Sequence, residues 1–326
     1  MELFKDTAGL EEYLKLKINE HVAKDQGRKI SQSSVDLYAS RVRIIFVQFG
    51  GKNSLTEYFN GYARVIKNIE KKYPNANTLK TSLWSIITVL AALGGKEQAI
   101  QKYTCKYNET VEGIGKVNDE KNAKEEENWM TMAEIHEKRE AMKEALGGKV
   151  GAGLFDAFQQ YMVLSLYTLM PPLRNDFVDV LVYGGSEAVE AVAMDEDKNY
   201  IFLDENKLVM NKFKTKGSFG AQTIILPETL AGIIAEWMKI RVGIYEELQD
   251  RRELLFNVVK MTPMGRTNMP SYMNKIFGRH ISTSMLRKIY LSEKYPVVSS
   301  SKEMERDAAA MLHSVRTQQF VYRKKW

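Results

Sequence analysis

Helical periodicity governs the first third of the chain. Within the segment 31–50, apolar residues recur at three- and four-residue steps, at Val35, Tyr38, Val42, Ile45, Phe46 and Phe49. This is the spacing of one face of an amphipathic helix. Ser33 or Ser34 is predicted to cap its beginning, and Gly50 to end it.

The same pattern recurs on both sides of this segment, at 11–24, 54–74, 77–95 and 96–104. We therefore predict an all-α helical bundle over residues 1–106. The stretch that follows, 107–128, has few apolar residues, two glycines and a dense run of charge. That composition predicts a charged linker between two domains.

Beyond the linker, over 129–326, the pattern of apolar positions is mixed. Segments 131–146 and 154–170 are predicted helices, and the second is apolar nearly all round, which indicates burial. Short runs typical of β-strands follow at 190–194, 199–203, 207–211 and 222–227, and helical patterns return at 227–250 and at 270–322. The fold class is thus mainly α: a helical bundle plus a mixed α+β domain with a small antiparallel sheet.

Composition excludes several classes of protein. Cys105 is the only cysteine, so no intramolecular disulfide forms, and the four histidines show no paired metal-ligand spacing. We expect no metal and no other cofactor. Neither a secretory leader nor a membrane-spanning run of about 18 apolar residues is present. These features predict a cytoplasmic or nuclear protein that is not secreted.

The charge distribution bears on the partner. The net charge is +6, and two basic blocks, 1–118 and 251–326, flank an acidic one. Basic ends suit a polyanion, because neutralising phosphates releases counterions. The alternative is that these charges only form a solvated surface.

A few residues could carry chemistry. Arg174 follows two prolines that break a helix and fix the backbone after it, although ion pairing with Asp176 or Asp179 would also explain it. Arg287 lies within a predicted helix. His313 and Tyr322 stand nine residues apart near the carboxyl end. Each of these residues, taken alone, is explained by an ordinary structural role.

Their combination resembles the tyrosine recombinase, or phage integrase, family. The motifs are PLR at 172–174, lysines between two strands, LRK at 286–288, and LHSVRTQQFVY at 312–322. The last motif is similar to that family's Gly-His-Ser box, with Thr-Gln and a tyrosine at the same nine-residue gap, and Leu312 replaces the glycine. The resemblance extends over most of the chain, and within the family it is greatest to integrases of eukaryotic large-DNA viruses and virophages.

The resemblance implies roles for these residues. Arg174 and Arg287 match the two arginines that hold a DNA phosphate, and guanidinium groups suit this task because they stay charged and donate paired hydrogen bonds. His313 matches the residue that hydrogen-bonds a phosphate oxygen. Tyr322 matches the nucleophile that forms a covalent 3′-phosphotyrosine, so rejoining needs neither ATP nor a metal. The implied fold is that of the DNA breaking-rejoining enzymes.

A lysine on a β-hairpin turn protonates the leaving 5′-oxygen in the family. The corresponding segment here, 210–227, offers Lys212, Lys214 and Lys216. Lys214, which precedes a threonine as in many relatives, is our choice. Lys216 is the substitute, because the loop is longer than usual and leaves the register open.

One catalytic position departs from the family pattern. Three residues before Arg287 the family has histidine or lysine, whereas this chain has Ser284. Serine cannot act as a base near neutral pH, but it can hydrogen-bond phosphate or orient Tyr322. His280, one turn earlier, is a possible replacement. Further predicted DNA contacts are Lys212, Lys216, Arg279, His280, Arg323 and Lys324, with Lys52 and Lys80 on a basic face of the bundle.

The preferred hypothesis is a site-specific DNA recombinase whose two domains clamp double-stranded DNA and which acts as a homotetramer on two sites. A type IB topoisomerase shares the catalytic residues but works as a monomer. A third hypothesis is a DNA-binding protein that kept the fold and lost catalysis, because of Ser284 and Leu312.

Overall fold

The computed structural model describes residues 7–24, 30–117, 120–184, 194–296 and 302–324. The chain divides into two units, Met1–Val117 and Asn118–Trp326. The division falls inside the predicted linker 107–128, which is helical on both sides of it, since one helix extends to Val117 and another spans Ala123–Asn128. The charge run is therefore largely the solvated surface of helices.

The first unit is helical throughout its described residues. Its helices are α1 (Thr7–Lys24), α2 (Gln32–Phe49), α3 (Leu55–Asn60), α4 (Tyr62–Lys72), α5 (Ala76–Ala92) and α6 (Glu97–Val117). The N-cap of α2 is Ser31, not Ser33 or Ser34 as predicted, because Ser31 has extended backbone angles and its side chain accepts from the Ser34 amide. Gly50 ends α2, as predicted.

The core of this unit comes from the periodic apolar positions. Val35, Val42 and Ile45 of α2 are fully or almost fully buried. The Tyr103 hydroxyl on α6 donates to the Phe59 carbonyl over 2.8 Å, which satisfies a buried polar group. Amphipathic helices thus bury their apolar faces against one another, as the pattern predicts.

The second unit combines helices with small sheets. Its helices are α7 (Ala123–Asn128), α8 (Met132–Glu144), α9 (Gly151–Leu166), α10 (Lys216–Phe219), α11 (Glu228–Ile244), α12 (Met269–Phe277), α13 (Thr283–Lys294), α14 (Lys302–Ala310) and α15 (Val315–Thr317). Its strands are β1 (Val180–Tyr183), β2 (Asn199–Phe202), β3 (Lys207–Met210), β4 (Gln222–Ile225), β5 (Phe256–Asn257) and β6 (Thr262–Pro263). Within the described ranges no helix is long and apolar enough to span a membrane.

The main sheet is mixed, so the prediction of an antiparallel sheet holds only for β2, β3 and β4, and the pattern did not predict strand β1. The strand order is β1-β2-β3-β4, and β1 pairs with β2 in parallel, with Val180 opposite Asn199. The chain between Tyr183 and Asn199 is long enough for the crossover that parallel pairing requires. The β2–β3 and β3–β4 pairs are antiparallel. The predicted strand 190–194 lies, apart from residue 194, outside the described residues.

Helix α9 is buried on nearly every side, which confirms the prediction from its apolar sequence. It packs against α11, where Phe155 and Trp237 have ring centroids 4.7 Å apart. The Trp237 indole donates to the Leu254 carbonyl over 2.9 Å. These residues belong to the main hydrophobic core of the unit.

Helix α14 ends in a Schellman motif. The His313 amide donates to the Ala308 carbonyl over 3.0 Å, and the Leu312 amide to the Ala309 carbonyl over 2.9 Å. The motif requires a left-handed residue, and Leu312 adopts φ 54° there, although glycine is the usual residue. Its side chain is 1% exposed and belongs to the core of the unit. The free energy gained by burying the Leu312 side chain therefore offsets the cost of its left-handed backbone.

A buried carboxylate ties α14 to α13. Asp307 accepts from the hydroxyls of Tyr290 and Tyr295, each over 2.9 Å. The Lys294 ammonium lies 2.8 Å from the same oxygen. These contacts fix the end of α14 relative to the helix that carries Arg287.

Substitutions at Leu312 test the left-handed conformation. We expect Leu312→Ala to lower the free energy of unfolding by about 2–5 kcal/mol, because a buried side chain is lost. Leu312→Gly should be more stable than Leu312→Ala by about 1 kcal/mol, since glycine adopts positive φ without strain. Denaturant unfolding measures both. Ala309→Gly, on an exposed helical site, is the control and should cost about 1 kcal/mol. A glycine variant less stable than the alanine variant at 312 would contradict the prediction.

Candidate active site

Four side chains from distant segments of the second unit meet in one cluster. They are Arg174, Arg287, His313 and Tyr322. The Arg287 guanidinium carbon lies 4.5 Å from the Tyr322 ring centroid, and the His313 and Tyr322 ring centroids are 5.4 Å apart. Arg174 and Arg287 both act on the Tyr322 phenol through their charge and through hydrogen bonding. The structure thus brings together the four residues that the motifs had singled out.

Arg287, on α13, is a fully buried cation with 0% exposure. One terminal nitrogen donates to the Pro172 carbonyl over 2.8 Å, and both terminal nitrogens donate to the Met311 carbonyl over 3.1 Å. Met311 lies at the end of α14, where helix carbonyls lack helical partners. Burial lowers the pKa of Arg287 to about 10, so the group remains charged at neutral pH.

Arg174 lies just before the short 3-10 turn Asn175–Asp179 that leads into β1. The Tyr167 hydroxyl donates to the Arg174 carbonyl over 2.8 Å. The Arg174 guanidinium donates to the Leu312 carbonyl over 3.3 Å. Helix α9 ends at Leu166, before the two prolines rather than at them.

Asp176 and Asp179 do not pair with Arg174. Both pair with Arg266, at 3.3 Å and 2.5 Å. Salt-bridge formation by Arg174 with either aspartate, the alternative explanation of this arginine, is therefore wrong. Its guanidinium instead remains directed towards the cluster.

His313 is a neutral hydrogen-bond donor in this arrangement. Burial, together with the charges of Arg287 and Arg174, lowers the pKa of His313 to about 3. Its Nδ1 contacts a terminal nitrogen of Arg287, and because a guanidinium can only donate, Nδ1 accepts. The ring also hydrogen-bonds with the Met311 carbonyl and the Gln318 side chain, and these bonds raise the pKa less than burial and the two arginines lower it. The buried Nε2 has no hydrogen-bond partner of ordinary geometry within the described residues.

Tyr322 ends a π-helical turn, Gln318–Tyr322, and is 7% exposed. Burial alone would raise the pKa of its phenol. The positive charges of Arg287 and Arg174, with hydrogen bonds from both, outweigh that effect, so the pKa of Tyr322 lies below its ordinary value. The cluster therefore stabilises the phenolate, the nucleophilic form of tyrosine, relative to an ordinary tyrosine.

The three predicted lysines have different surroundings. Lys212 lies 3.7 Å from Asp179, and Lys216 lies 3.1 Å from Glu196. Lys214 is exposed in the turn and makes no ion pair with any described residue. Its neighbour Thr215 donates to the Leu312 carbonyl over 2.7 Å, so the turn approaches the cluster next to Lys214. The role of Lys214 stays a prediction.

Ser284 does not join the cluster. It is exposed on α13 and lines a separate cavity of about 320 Å³ with His280 and Lys288. The preceding residue, Thr283, faces the arginine side instead and donates to the Asn175 side chain over 2.7 Å. Neither Ser284 nor His280 is therefore placed to act on Tyr322 in this structure.

Two predicted DNA contacts near the carboxyl end face the protein. Arg323 is 7% exposed and donates to the Pro296 carbonyl over 3.2 Å. Lys324 is 3% exposed, and its ammonium lies 3.8 Å from Glu125. In this structure a backbone carbonyl contacts Arg323 and a buried carboxylate contacts Lys324, and their contact with phosphates stays a prediction.

The remaining predicted DNA contacts are at least partly accessible. Lys52 and Arg279 are exposed, as is the ring of His280. Lys80 is partly buried and donates to the Asn77 side chain over 3.4 Å. Their contact with DNA stays a prediction.

The sequence reading missed several residues that shape the cluster. Tyr167, Thr215 and Thr283 each hold the backbone or side chain of a segment next to an arginine. For Thr215 the sequence offers one indication, since this hydroxyl residue directly follows the candidate Lys214. Nothing in the spacing of Tyr167 or Thr283 distinguishes them from core residues.

Comparisons with known proteins add little. No protein-family model matches the chain, and no curated protein matches it. Among solved structures, the chain is similar to the crystal structure of XerA recombinase with a TM-score of 0.39 and 10% sequence identity, over 95% of this chain and 93% of that chain. Similarity at this level carries no argument about function, which must come from the side-chain geometry.

The lowered pKa of Tyr322 can be tested by titration. The phenolate absorbance of the wild type minus that of Tyr322→Phe should titrate below the ordinary tyrosine value of about 10. Arg174→Gln should move this midpoint upwards, because one positive charge is removed. Arg316→Gln, an exposed arginine on α15, is the matched control and should leave it unchanged. An unchanged titration midpoint in Arg174→Gln would show that the charge of Arg174 does not act on the phenol.

The buried neutral state of His313 predicts a pH dependence of stability. Its folded pKa of about 3 lies below the ordinary value of 6.5, so the unfolded chain binds a proton first as pH falls. The stabilisation is present above pH about 6.5 and is lost on acidification.

From pH 7 to pH 5 the wild type should therefore lose about 2 kcal/mol more than His313→Gln, measured by denaturant unfolding at each pH. The control is His280→Gln, at an exposed histidine outside the cluster. Equal losses in the wild type and His313→Gln would contradict the assignment of a neutral ring.

Proposed function

We propose that this protein is a DNA strand transferase of the tyrosine recombinase type, cutting and rejoining DNA through a covalent 3′-phosphotyrosine. One observation carries the proposal: the Arg287 guanidinium lies over the Tyr322 ring, the charge of Arg174 also acts on the phenol, and the His313 ring lies 5.4 Å from the Tyr322 ring. A tyrosine placed among fixed cations has both an activated oxygen and a site for a phosphate.

The chemistry follows from these charges. The phenolic oxygen attacks a phosphodiester phosphorus, the oxygen–phosphorus bond to Tyr322 forms, and the bond to the 5′-oxygen breaks. Negative charge grows on the nonbridging oxygens, where two guanidinium groups donate hydrogen bonds in a site shielded from water. The N–H of the neutral His313 ring is a third donor. The phenolic proton passes to solvent, and the 5′-oxygen receives a proton from Lys214.

The phenolic oxygen currently occupies the position that a phosphate would take. Both guanidinium groups already satisfy part of their hydrogen-bonding capacity with the carbonyls of Pro172, Met311 and Leu312. A phosphodiester would replace the phenol as the remaining acceptor and leave the tyrosine oxygen next to the phosphorus. We propose that binding double-stranded DNA brings about this exchange.

Site-specific recombination is the reaction we assign, with a homotetramer joining two DNA sites. The alternative, a monomeric topoisomerase, uses the same covalent step. Strand exchange between two duplexes that carry the same selected site distinguishes recombination. Relaxation of a supercoiled circle without exchange would indicate the topoisomerase.

The covalent step is tested with a pool of nicked duplexes whose central sequence is randomised. We expect the wild type to form an adduct that survives a denaturing gel, and Tyr322→Phe to form none, because the oxygen nucleophile is absent. Arg174→Ala should slow adduct formation by about 10²–10³-fold, as for loss of one transition-state donor. Tyr38→Phe, a partly buried tyrosine on α2, is the matched control and should behave as the wild type.

The outcome that contradicts the proposal is equally specific. Wild-type protein that retains DNA of the pool in a native gel, yet gives no adduct and is indistinguishable from Tyr322→Phe, would be a DNA-binding protein without strand transfer. An adduct that persists in Tyr322→Phe would assign the nucleophile elsewhere.

A further inference from the structure

The turn that bears Lys214 is attached to the site by one hydroxyl. Thr215 donates from Oγ1 to the Leu312 carbonyl over 2.7 Å, between residues 97 positions apart in sequence. The same carbonyl accepts from the Arg174 guanidinium over 3.3 Å. A single carbonyl oxygen thus joins the lysine turn, a phosphate-site arginine and the peptide that precedes His313.

The other end of the turn is also fixed. The Asn199 side chain accepts from the Asn211 and Lys212 amides over 3.0 and 2.8 Å, and it donates to the Lys212 carbonyl over 3.0 Å. Phe213 then enters the core with 7% exposure. Lys214 follows, exposed, between this anchor and Thr215.

The backbone on both sides of Lys214 is therefore fixed, while the Lys214 side chain is exposed. Consecutive Cα atoms are about 3.8 Å apart, so the Thr215 contact sets the distance of the Lys214 backbone from the Leu312 carbonyl. Without the hydroxyl, the stretch after Phe213 loses its attachment to the cluster. The chain that follows, Lys216–Phe219, is largely exposed. The ion pair between Lys216 and Glu196 lies at the surface.

We propose that Thr215 is a positioning residue for strand cleavage, which holds Lys214 where it protonates the leaving 5′-oxygen. The inference rests on the proposed strand-transfer function and deepens it. In the step concerned, the bond from phosphorus to the 5′-oxygen breaks, its electron pair goes to that oxygen, and a proton of the Lys214 ammonium neutralises it, leaving an amine.

Sulfur in place of the 5′-bridging oxygen separates this role from a general effect on the site. A thiol has a pKa of about 8.5, so a thiolate leaves without being protonated, whereas an alkoxide requires a proton. A residue that acts through the lysine matters for the oxygen substrate alone. A residue that supports the whole cluster matters for both substrates.

The experiment measures single-turnover adduct formation on matched oxygen and sulfur duplexes of one sequence selected by the wild type. We expect Thr215→Val and Lys214→Ala each to slow cleavage of the oxygen duplex by about 10²-fold, and to cleave the sulfur duplex at nearly the wild-type rate. Thr215→Ser, which keeps the hydroxyl, should restore the rate on oxygen. Thr223→Val, on exposed β4, is the matched control for loss of a threonine hydroxyl.

Two results would overturn the inference. Thr215→Val could cleave the oxygen duplex at the wild-type rate, or it could be slowed equally on both duplexes while its thermal unfolding stays unchanged. Absence of any adduct with the wild type on both duplexes would instead refute the strand-transfer function itself. The two failures are therefore distinguishable.

Discussion

The guanidinium group of Arg287 is a full positive charge inside the protein, and the site is arranged around the need to stabilise it. A buried charge is costly unless it is paired or hydrogen-bonded. Arg287 makes no salt bridge with any described carboxylate, and it uses the carbonyls of Pro172 and Met311 instead. Those carbonyls belong to the segment before Arg174 and to the end of α14. The requirement for acceptors thus draws three parts of the chain together at the place where a phosphate is proposed to bind.

The same charge acts in two ways on the residues next to it. It disfavours protonation of His313, whose pKa is already lowered by burial, and it favours ionisation of Tyr322, whose pKa burial alone would raise. The charge of Arg287 therefore favours both a neutral imidazole and a more acidic phenol, with burial and Arg174 contributing to these shifts. The arrangement also explains why carbonyls serve better than a carboxylate as partners of Arg287, because a neighbouring negative charge would cancel the effect on the phenol.

Sequence reasoning reached the helices and the four clustered side chains because both depend on local signals. Apolar periodicity marks a helix face, and motif spacing marks residues such as His313 and Tyr322. What it missed depends on pairing across the fold. The parallel partner of β2 is a strand after the Arg174 turn, and the acceptor of Thr215 lies 97 residues away. Arg323 and Lys324 read as exposed cations, yet Glu125 and a backbone carbonyl enclose them, which no local pattern reveals.

The two departures from the tyrosine recombinase motifs that the chain resembles have different physical meanings. Leu312 keeps the left-handed backbone that glycine would supply, so the carbonyl that meets Arg174 and Thr215 is preserved at the cost of strain. Ser284 lines a cavity away from the phenol, and among the described histidines His313 is the one beside Tyr322. The lowered pKa of His313 makes its ring a weak base. The two guanidinium charges lower the pKa of the phenol without any help from position 284, so the serine by itself does not argue against catalysis.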